Sequence, residues 1–157
     1  MRTSRFNVVL IEPEIPQNTG SIGRLCLATG STLHLVKPLG FSIDAQALKR
    51  AGLDYWEHLD LQVHESAEDF FKSVPPSSTL VLIETRAGRT IYENQFKEGD
   101  YLVFGKETTG LSDWILNRYA LNLTRIPMFD ARVRSLNLSN AVSIVVYEAV
   151  RQTLKPL

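Results

Sequence analysis

Short apolar runs alternate with helical stretches along this chain, and the alternation limits the folds it can adopt. Phe6 to Ile11 is a continuous apolar run, as expected of a strand buried on both faces of a sheet. Further strands are predicted at Thr32 to Val36, Leu61 to His64, Thr79 to Glu84, Tyr101 to Phe104 and Leu121 to Ile126. Strands separated by helices favour a parallel sheet with right-handed crossovers. The predicted fold class is therefore α/β.

Helix boundaries are predicted from capping residues and apolar spacing. The predicted helix starts are Asn18, Ser42, Ser66, Ser112 and Leu138. The first helix is expected to end at Gly30 and the second to run through Arg50. The last helix, to about Leu154, is apolar around most of its circumference. Such a helix is buried on more than one side, often by a second subunit.

Length and composition favour a single domain over residues 1–157 that is long enough for a sizeable core. The single cysteine, Cys26, excludes an internal disulfide and is typical of a reducing cytoplasm. Because no apolar run approaches the roughly 20 residues of a bilayer span, we expect a cytoplasmic protein without membrane contact. Seventeen basic and seventeen acidic residues cancel. This balance argues against non-specific nucleic-acid binding, although a neutral protein can still present one basic face.

Three segments place glycines and polar side chains between an apolar strand and a helix. They are Pro13 to Arg24, Phe104 to Leu111, and Ile126 to Ala141. The ends of strands in α/β proteins are where binding sites are built. Folding alone gives no reason for polar groups at the entrance to an apolar helix, so these segments are candidates for a functional site.

Each polar residue in these segments also has an ordinary explanation. Gly105 and Gly110 could be turn glycines, or could let the main chain approach a ligand closely. Glu107 could be simply exposed or could cap the next helix, and Arg24 could be a surface residue or part of a dimer ion pair. The side chains that would otherwise be N-caps are Asn18, Asn137 and Ser139. Their joint occurrence at three strand ends favours function.

Several standard kinds of site are absent from the sequence. There is no Gly-x-Gly-x-x-Gly after the first strand, no phosphate-binding Gly-x-x-x-x-Gly-Lys and no Gly-x-Ser-x-Gly. His34, His58 and His64 lack metal-ligand spacing, and Cys26 lies on a helical core face. We predict no metal site. The loop from Gly105 to Gly110, which we call the glycine loop, could instead hold a nucleotide-like ligand through its backbone groups. Side chains such as Ile83 and Met128 would add an apolar slot.

The three segments resemble the three motifs of the SPOUT superfamily of RNA methyltransferases. The matching motifs are Asn18-Thr19-Gly20-x-x-x-Arg24, Phe104-Gly105-x-Glu107-x-x-Gly110-Leu111, and Ile126-Pro127-Met128 through Ser135-Leu136-Asn137-Leu138-Ser139-Asn140-Ala141. The resemblance runs almost end to end. It is closest to the minimal branch, which lacks an added RNA-binding domain.

The resemblance implies a fold and a cofactor. In such proteins the C-terminal part of the sheet forms a deep trefoil knot, and S-adenosylmethionine is bound bent within it. The residues that this assigns to the cofactor are Ile83, Gly105, Ile126, Ser135 and Leu136. It also implies a homodimer through the N-terminal and last helices, in which Arg24 completes the partner's site and Tyr147 lies at or near the interface.

The implied reaction is methyl transfer to the ribose 2′-hydroxyl of the wobble nucleotide of leucine-type tRNAs, position 34, a cytidine or modified uridine. The implied catalytic residues are Arg24, Asn18, Glu107 and Asn137. Because a guanidinium stays protonated, we expect Arg24 to bind a phosphate and stabilise the developing alkoxide. The candidate RNA contacts are Arg2, Arg5, Lys106, Arg132 and Arg134. Methylation of ribosomal RNA, a non-catalytic RNA-binding knot protein and an unrelated nucleotide-binding protein remain alternatives.

Overall fold

A computed structural model describes residues 5–44 and 54–155, and within them six strands form one sheet. The strands are β1 (Asn7–Ile11), β2 (Thr32–Val36), β3 (Leu61–His64), β4 (Leu80–Ile83), β5 (Tyr101–Phe104) and β6 (Leu123–Thr124). Their order is β3-β2-β1-β5-β4-β6, and every neighbouring pair is parallel. The predicted α/β class is confirmed. The trefoil knot stays a prediction.

Four α-helices lie in the described ranges, three between strands and the last after β6. They are α1 (Pro16–Thr29), α2 (Ala67–Ser73), α3 (Asp113–Arg118) and α4 (Leu138–Thr153). Short 3-10 turns cover Trp56–His58 and Ala120–Asn122. The predicted helix through Arg50 lies outside the described residues. None of the helices within them is long and apolar enough to cross a membrane.

The first helix begins two residues earlier than the sequence predicted. Pro16 occupies the first helical position, where its fixed φ suits the helix and its missing N–H costs nothing. Asn18 therefore lies inside the first turn and is not the N-cap, which is Ile15. The predicted end is confirmed, because Gly30 adopts the left-handed conformation at φ 69° and its N–H bonds the Cys26 and Leu27 carbonyls.

The predicted strand from Leu121 to Ile126 is largely wrong. Only Leu123–Thr124 pairs with β4. The Asn122 side-chain amide donates to the carbonyl of Leu80 at 2.9 Å, within the 3-10 turn that precedes the strand. After the strand, the Arg125 backbone pairs with residues 89–91 instead of β4. Long-range pairing, which apolar spacing does not encode, shortens the strand.

Apolar side chains cover both faces of the sheet. Along β1, Val8 and Leu10 point to one face while Val9 and Ile11 point to the other. The first face is covered by α1 and α4, through buried residues such as Cys26, Val142 and Val146. The second face is covered by α2 and α3, through Phe70 and Ile115. This three-layer arrangement leaves the carboxyl edge of the sheet free to form a site.

Candidate active site

The carboxyl ends of β4, β5 and β6 open onto a cavity of about 630 Å³. Its wall includes all the residues that the sequence assigned to the cofactor: Ile83, Gly105, Ile126, Ser135 and Leu136. It also includes Asn18, Glu107 and Asn137. Cavities of roughly 300–1,000 Å³ are typical of small-molecule sites. The structure therefore brings the three polar segments together around one space of suitable size.

Gly105 is required by the way its loop folds back on itself. A Cβ atom at this position would lie 2.2 Å from the Gly110 carbonyl carbon and 2.3 Å from the Leu111 nitrogen. The turn is closed by the Gly110 N–H, which donates to the Lys106 carbonyl at 2.9 Å, and Gly110 has a positive φ of 69°. Both glycines thus have a conformational reason, and the tight turn also places main-chain groups on the cavity wall.

Glu107 caps a helix that is distant in the chain. Its carboxylate accepts hydrogen bonds from the backbone N–H groups of Glu14 at 2.7 Å and Ile15 at 3.0 Å, immediately before α1. The N-cap Ile15 has no capping side chain of its own. A carboxylate here satisfies free N–H groups and lies at the positive end of the helix dipole. The interpretation that Glu107 caps the next helix, α3, is wrong, because its partners precede α1.

A chain of side-chain hydrogen bonds joins the three segments. The Asn18 amide donates to Glu107 at 3.4 Å, and the Asn137 amide donates to Asn18 Oδ1 at 3.1 Å. Asn137 Oδ1 in turn accepts from the Asn140 N–H at 3.2 Å and the Ser139 hydroxyl at 2.6 Å. Asn137 is the N-cap of α4, as one of its sequence interpretations stated. Asn18 is buried, so its bonds fix α1 against the start of α4.

Two further contacts fasten residues 12–15 to residues 106–108. Lys106 forms an ion pair with Glu12 at 2.9 Å, and this hydrogen bond raises the pKa of Lys106. The Glu14 carboxylate accepts from the Thr108 hydroxyl at 2.8 Å and N–H at 3.0 Å, and these bonds lower the pKa of Glu14. In these bonds Glu12 and Glu14 accept from residues 106–108, whereas Glu107 accepts from residues 14–15. We call this set, formed by residues 12–15 and 106–108, the clasp.

The structure does not bring Arg24 to the other predicted catalytic residues. Arg24 is exposed on α1 and lies outside the cavity wall. Neighbouring positions on α1 contact residues 55–56, where the Tyr55 hydroxyl donates to the Gly20 carbonyl at 2.8 Å, one turn before Arg24. The Trp56 ring lies so close to Gly23 that a Cβ there would be 2.6 Å away. Within one chain, three of the four predicted catalytic residues meet.

Most of the cationic side chains predicted to contact RNA are paired. Lys106 bonds Glu12, Arg132 bonds Asp130 at 2.6 Å, and Arg5 lies 3.7 Å from Glu98. Arg134 lines the cavity and has no ion-pair partner among residues 5–44 and 54–155. Arg2 lies outside the described residues. Arg134 is thus the candidate best placed to meet an anion.

Sequence reasoning missed two features of this region. It gave no role to Glu12, Glu14 or Thr108, although acidic residues at 12 and 14 face Lys106 and Thr108 across the clasp. The sequence feature that could have indicated these contacts is the pair Glu12 and Glu14 on either side of a proline. It also passed over Phe129, whose side chain is 98% exposed beside the cavity.

The histidines lie away from this cavity. His34 is 3% exposed in β2, where its Nε2 lies 2.9 Å from Asn7 Oδ1 and its Nδ1 lies 3.0 Å from His64 Nε2. The Asn7 amide nitrogen donates to the Gly99 carbonyl, so the Asn7 oxygen faces His34 and His34 Nε2 is the donor. His34 Nδ1 is then an acceptor for His64. Burial, and secondarily His64, lowers the pKa of His34 to about 4.

Known proteins resemble this chain along most of its length. The family model described as the SpoU rRNA methylase family matches residues 5–147. A tRNA (cytidine(34)-2′-O)-methyltransferase of Yersinia pestis is 50% identical over 152 residues, covering 94% of this chain and 93% of the relative. The Burkholderia pseudomallei protein of the same name is 46% identical over 149 residues, covering 94% and 95%.

Solved structures share the fold. A structure described as giving insights into the 2-OH methylation of C/U34 on tRNA has a TM-score of 0.89 and 44% identity, covering 96% of this chain and 97% of that one. An AdoMet-bound rRNA methyltransferase of Sinorhizobium meliloti has a TM-score of 0.84 and 26% identity, covering 98% of this chain and 59% of that one. The resemblance to SPOUT methyltransferases is confirmed, and this chain belongs to the SpoU rRNA methylase family.

Proposed function

We propose that this protein transfers a methyl group from S-adenosylmethionine to the ribose 2′-hydroxyl of the wobble nucleotide of tRNA. The observation that carries the proposal is the meeting of the three motif segments around one cavity at the carboxyl edge of the sheet. Relatives named tRNA (cytidine(34)-2′-O)-methyltransferases, 46–50% identical over nearly the whole chain, favour a cytidine at position 34, and the structure described with C/U34 on tRNA adds a uridine, which we propose to be modified. Leucine-type tRNAs are the proposed substrates and the cytoplasm the proposed compartment.

The cavity suits S-adenosylmethionine in size and chemistry. Ile83, Ile126 and Leu136 give it an apolar side for the adenine ring, while Ser135 and main-chain groups of the glycine loop give it a polar side. The space that a Cβ at Gly105 would fill is already taken by backbone, so the loop presents its main chain directly. When bound, the cofactor would supply a methyl group on a sulfonium sulfur, and in-line attack of the ribose oxygen on the methyl carbon would release that sulfur as a neutral thioether.

The chain's own residues have to orient the ribose and manage its proton. The 2′-hydroxyl is a very weak acid, so negative charge that develops on its oxygen needs a nearby cation. Arg24 supplies that cation and also binds the phosphate beside the target ribose. An oxygen of that phosphate takes the proton of the 2′-hydroxyl. Asn18, Glu107 and Asn137 hold α1 against the cavity and so position the nucleotide relative to the methyl group.

The active unit is proposed to be a homodimer through α1 and α4. These helices pack together and leave apolar side chains exposed, with Leu27 and Ile144 each 38% and Tyr147 52% exposed. Arg24 lies outside the cavity wall of its own chain, which supports a site completed by the arginine of a second copy. The symmetry of a two-fold dimer would give two such shared sites.

The test of the reaction is transfer of a labelled methyl group to total tRNA, followed by mapping of the modified nucleotide. Label on the 2′-oxygen of position 34 in leucine tRNAs supports the proposal. Arg24→Ala should abolish transfer and leave cofactor affinity within a few-fold, measured by calorimetry. Label that appears only in ribosomal RNA, or cofactor binding without any transfer, would reject the proposed function.

Mixed dimers test the shared site. Arg24→Ala subunits retain a good cavity, and subunits with a defective cavity (Gly105→Ala) retain a good arginine. If Arg24 acts on the partner's cavity, mixing and exchanging the two inactive variants should restore about one quarter of wild-type activity, since half of the dimers then contain one complete site. No restoration, with exchange verified by mass spectrometry, would contradict the shared site.

A further inference from the structure

The loop at residues 129–133 begins and ends at the cavity. Met128 and Arg134, which flank it, both line the cavity wall. The loop is held in a turn by Asp130, whose carboxylate accepts from the Arg132 N–H at 2.9 Å and whose carbonyl accepts from the Val133 N–H at 3.2 Å. The first loop residue, Phe129, is 98% exposed. The turn thus carries an exposed aromatic ring directly after Met128, a residue of the cavity wall.

Arg134 contributes a cation to the cavity wall five residues after Phe129. Asp130 is neutralised within the loop by the Arg132 guanidinium, at distances of 2.6–3.2 Å. Arg134 closes the loop on the cavity side and has no acidic partner among the described residues. Single-stranded nucleic acid is bound by an exposed aromatic ring, which stacks on a base, together with a cation, which binds a phosphate, and this segment of the cavity wall offers both.

Exposure of one apolar side chain is ordinary by itself. Leu121 is 95% exposed, but it lies before β6 and hence near the amino edge of the sheet, opposite the cavity. Phe129 differs in its place, since Met128 and Arg134, which flank its loop, both line the cavity. Position, neighbouring charge and an aromatic face together distinguish it.

We propose that Phe129 stacks on the base of the methyl-accepting nucleotide and that Arg134 binds the flanking phosphate that Arg24 does not bind. This inference rests on the proposed function, because it takes an RNA nucleotide as the occupant of the cavity mouth. An anticodon-loop base is unpaired and can be splayed out onto a ring. Stacking tolerates either pyrimidine, so Phe129 would hold the wobble base without choosing between cytidine and uridine.

Kinetics on the full-length protein test the stacking. Phe129→Ala should raise the KM for tRNA by roughly 5- to 150-fold, the range expected for loss of one stacked base, and Phe129→Tyr should restore it. Cofactor affinity should stay within two-fold in both variants. The matched control Leu121→Ala, equally exposed at the other edge, should keep the wild-type KM. Arg134→Ala should lower the slope of log affinity against log salt by about one.

A binding measurement separates this inference from the proposed function. The probe is an anticodon stem-loop RNA with the fluorescent base pyrrolocytosine at position 34. Wild-type protein and Phe129→Tyr should quench the fluorescence of this base, and Phe129→Ala should not. Equal quenching by Phe129→Ala, or an unchanged KM, would overturn the stacking even if methyl transfer is normal. If wild-type protein transfers no methyl group, the proposed function fails, and the quenching still decides whether Phe129 binds the base. Sedimentation of Phe129→Ala as a smaller species than wild type would place the ring between subunits and also overturn the proposal.

Discussion

Removal of the Glu107 carboxylate tests whether the clasp stabilises the fold. In Glu107→Ala the N–H groups of Glu14 and Ile15 lose an acceptor at 2.7 and 3.0 Å, and Asn18 loses a weaker one at 3.4 Å. The N-terminus of α1 has no other side-chain cap. The carboxylate reaches these groups from 92–93 residues away, so its loss also weakens the clasp, which is then held by Lys106–Glu12 and Thr108–Glu14 alone.

The expected cost follows from the kind of bonds that are lost. A hydrogen bond to a charged group contributes about 1.5–3 kcal/mol, and loss of a helix cap costs about 0.5–2 kcal/mol. These contributions overlap, and Glu107 is only partly buried, so water can replace part of the loss. We therefore expect Glu107→Ala to lower the free energy of unfolding by about 2–3 kcal/mol. Glu107→Gln keeps one carbonyl oxygen and should lose about half as much.

The measurement is urea unfolding at neutral pH and one fixed protein concentration, because association would couple stability to concentration. The control is Glu65→Ala, which removes a carboxylate whose partner, Lys37, is at 3.1 Å on the surface. Surface substitutions of this kind change stability by about 0.5 kcal/mol or less. If Glu107→Ala unfolds with the same free energy as Glu65→Ala, the capping argument is refuted.

Two further predictions concern the glycine loop and the buried histidine. Gly105→Ala should weaken S-adenosylmethionine binding at least about tenfold by calorimetry, because its Cβ would overlap backbone, whereas Gly88→Ala, where a Cβ meets nothing within 4 Å, should not. The folded-state pKa of His34, about 4 against 6.5 for the free side chain, means that the unfolded chain binds an extra proton between those values. Stability should therefore be complete above about pH 6.5 and fall towards pH 4, by up to about 3 kcal/mol from this group. An NMR titration of His34 with a midpoint near 6 would contradict this.

Local pattern predicted most of the sheet, because buried strands such as Tyr101–Phe104 are apolar runs and the partly exposed edge strand Leu61–His64 alternates apolar and polar residues. Thr32–Val36, Leu61–His64 and Tyr101–Phe104 have the predicted bounds. The pattern failed at residues 121–126, where pairing of Arg125 with residues 89–91 ends the strand. It also misplaced the start of α1, because Asn18 has the chemistry of an N-cap but uses it to bond Glu107 and Asn137.

Meeting of the three segments could be predicted because the carboxyl ends of parallel strands lie at one edge of the sheet. The partners of each side chain could not be predicted. Glu107 has the same sequence context whether it is exposed, caps α3 or caps α1, and only the fold decides between them. The exposure of Arg24 could likewise not be predicted, because it depends on which face of α1 packs against α4 and the sheet.

The clasp connects the wall of the cavity directly to α1. Residues 106–108 form part of the cavity wall, and the same residues hold the N-terminus of α1 through Glu107 and Thr108. Arg24 lies on that helix about two turns further on. A shift of the glycine loop would therefore shift the helix that carries the arginine. If Arg24 acts on the partner's cavity, as proposed, filling of one cavity would adjust the arginine that serves the other, because Glu107 and Thr108 bond the residues that lead into the helix of Arg24. A substitution in the clasp would then disturb cofactor binding in its own subunit and methyl transfer in the partner.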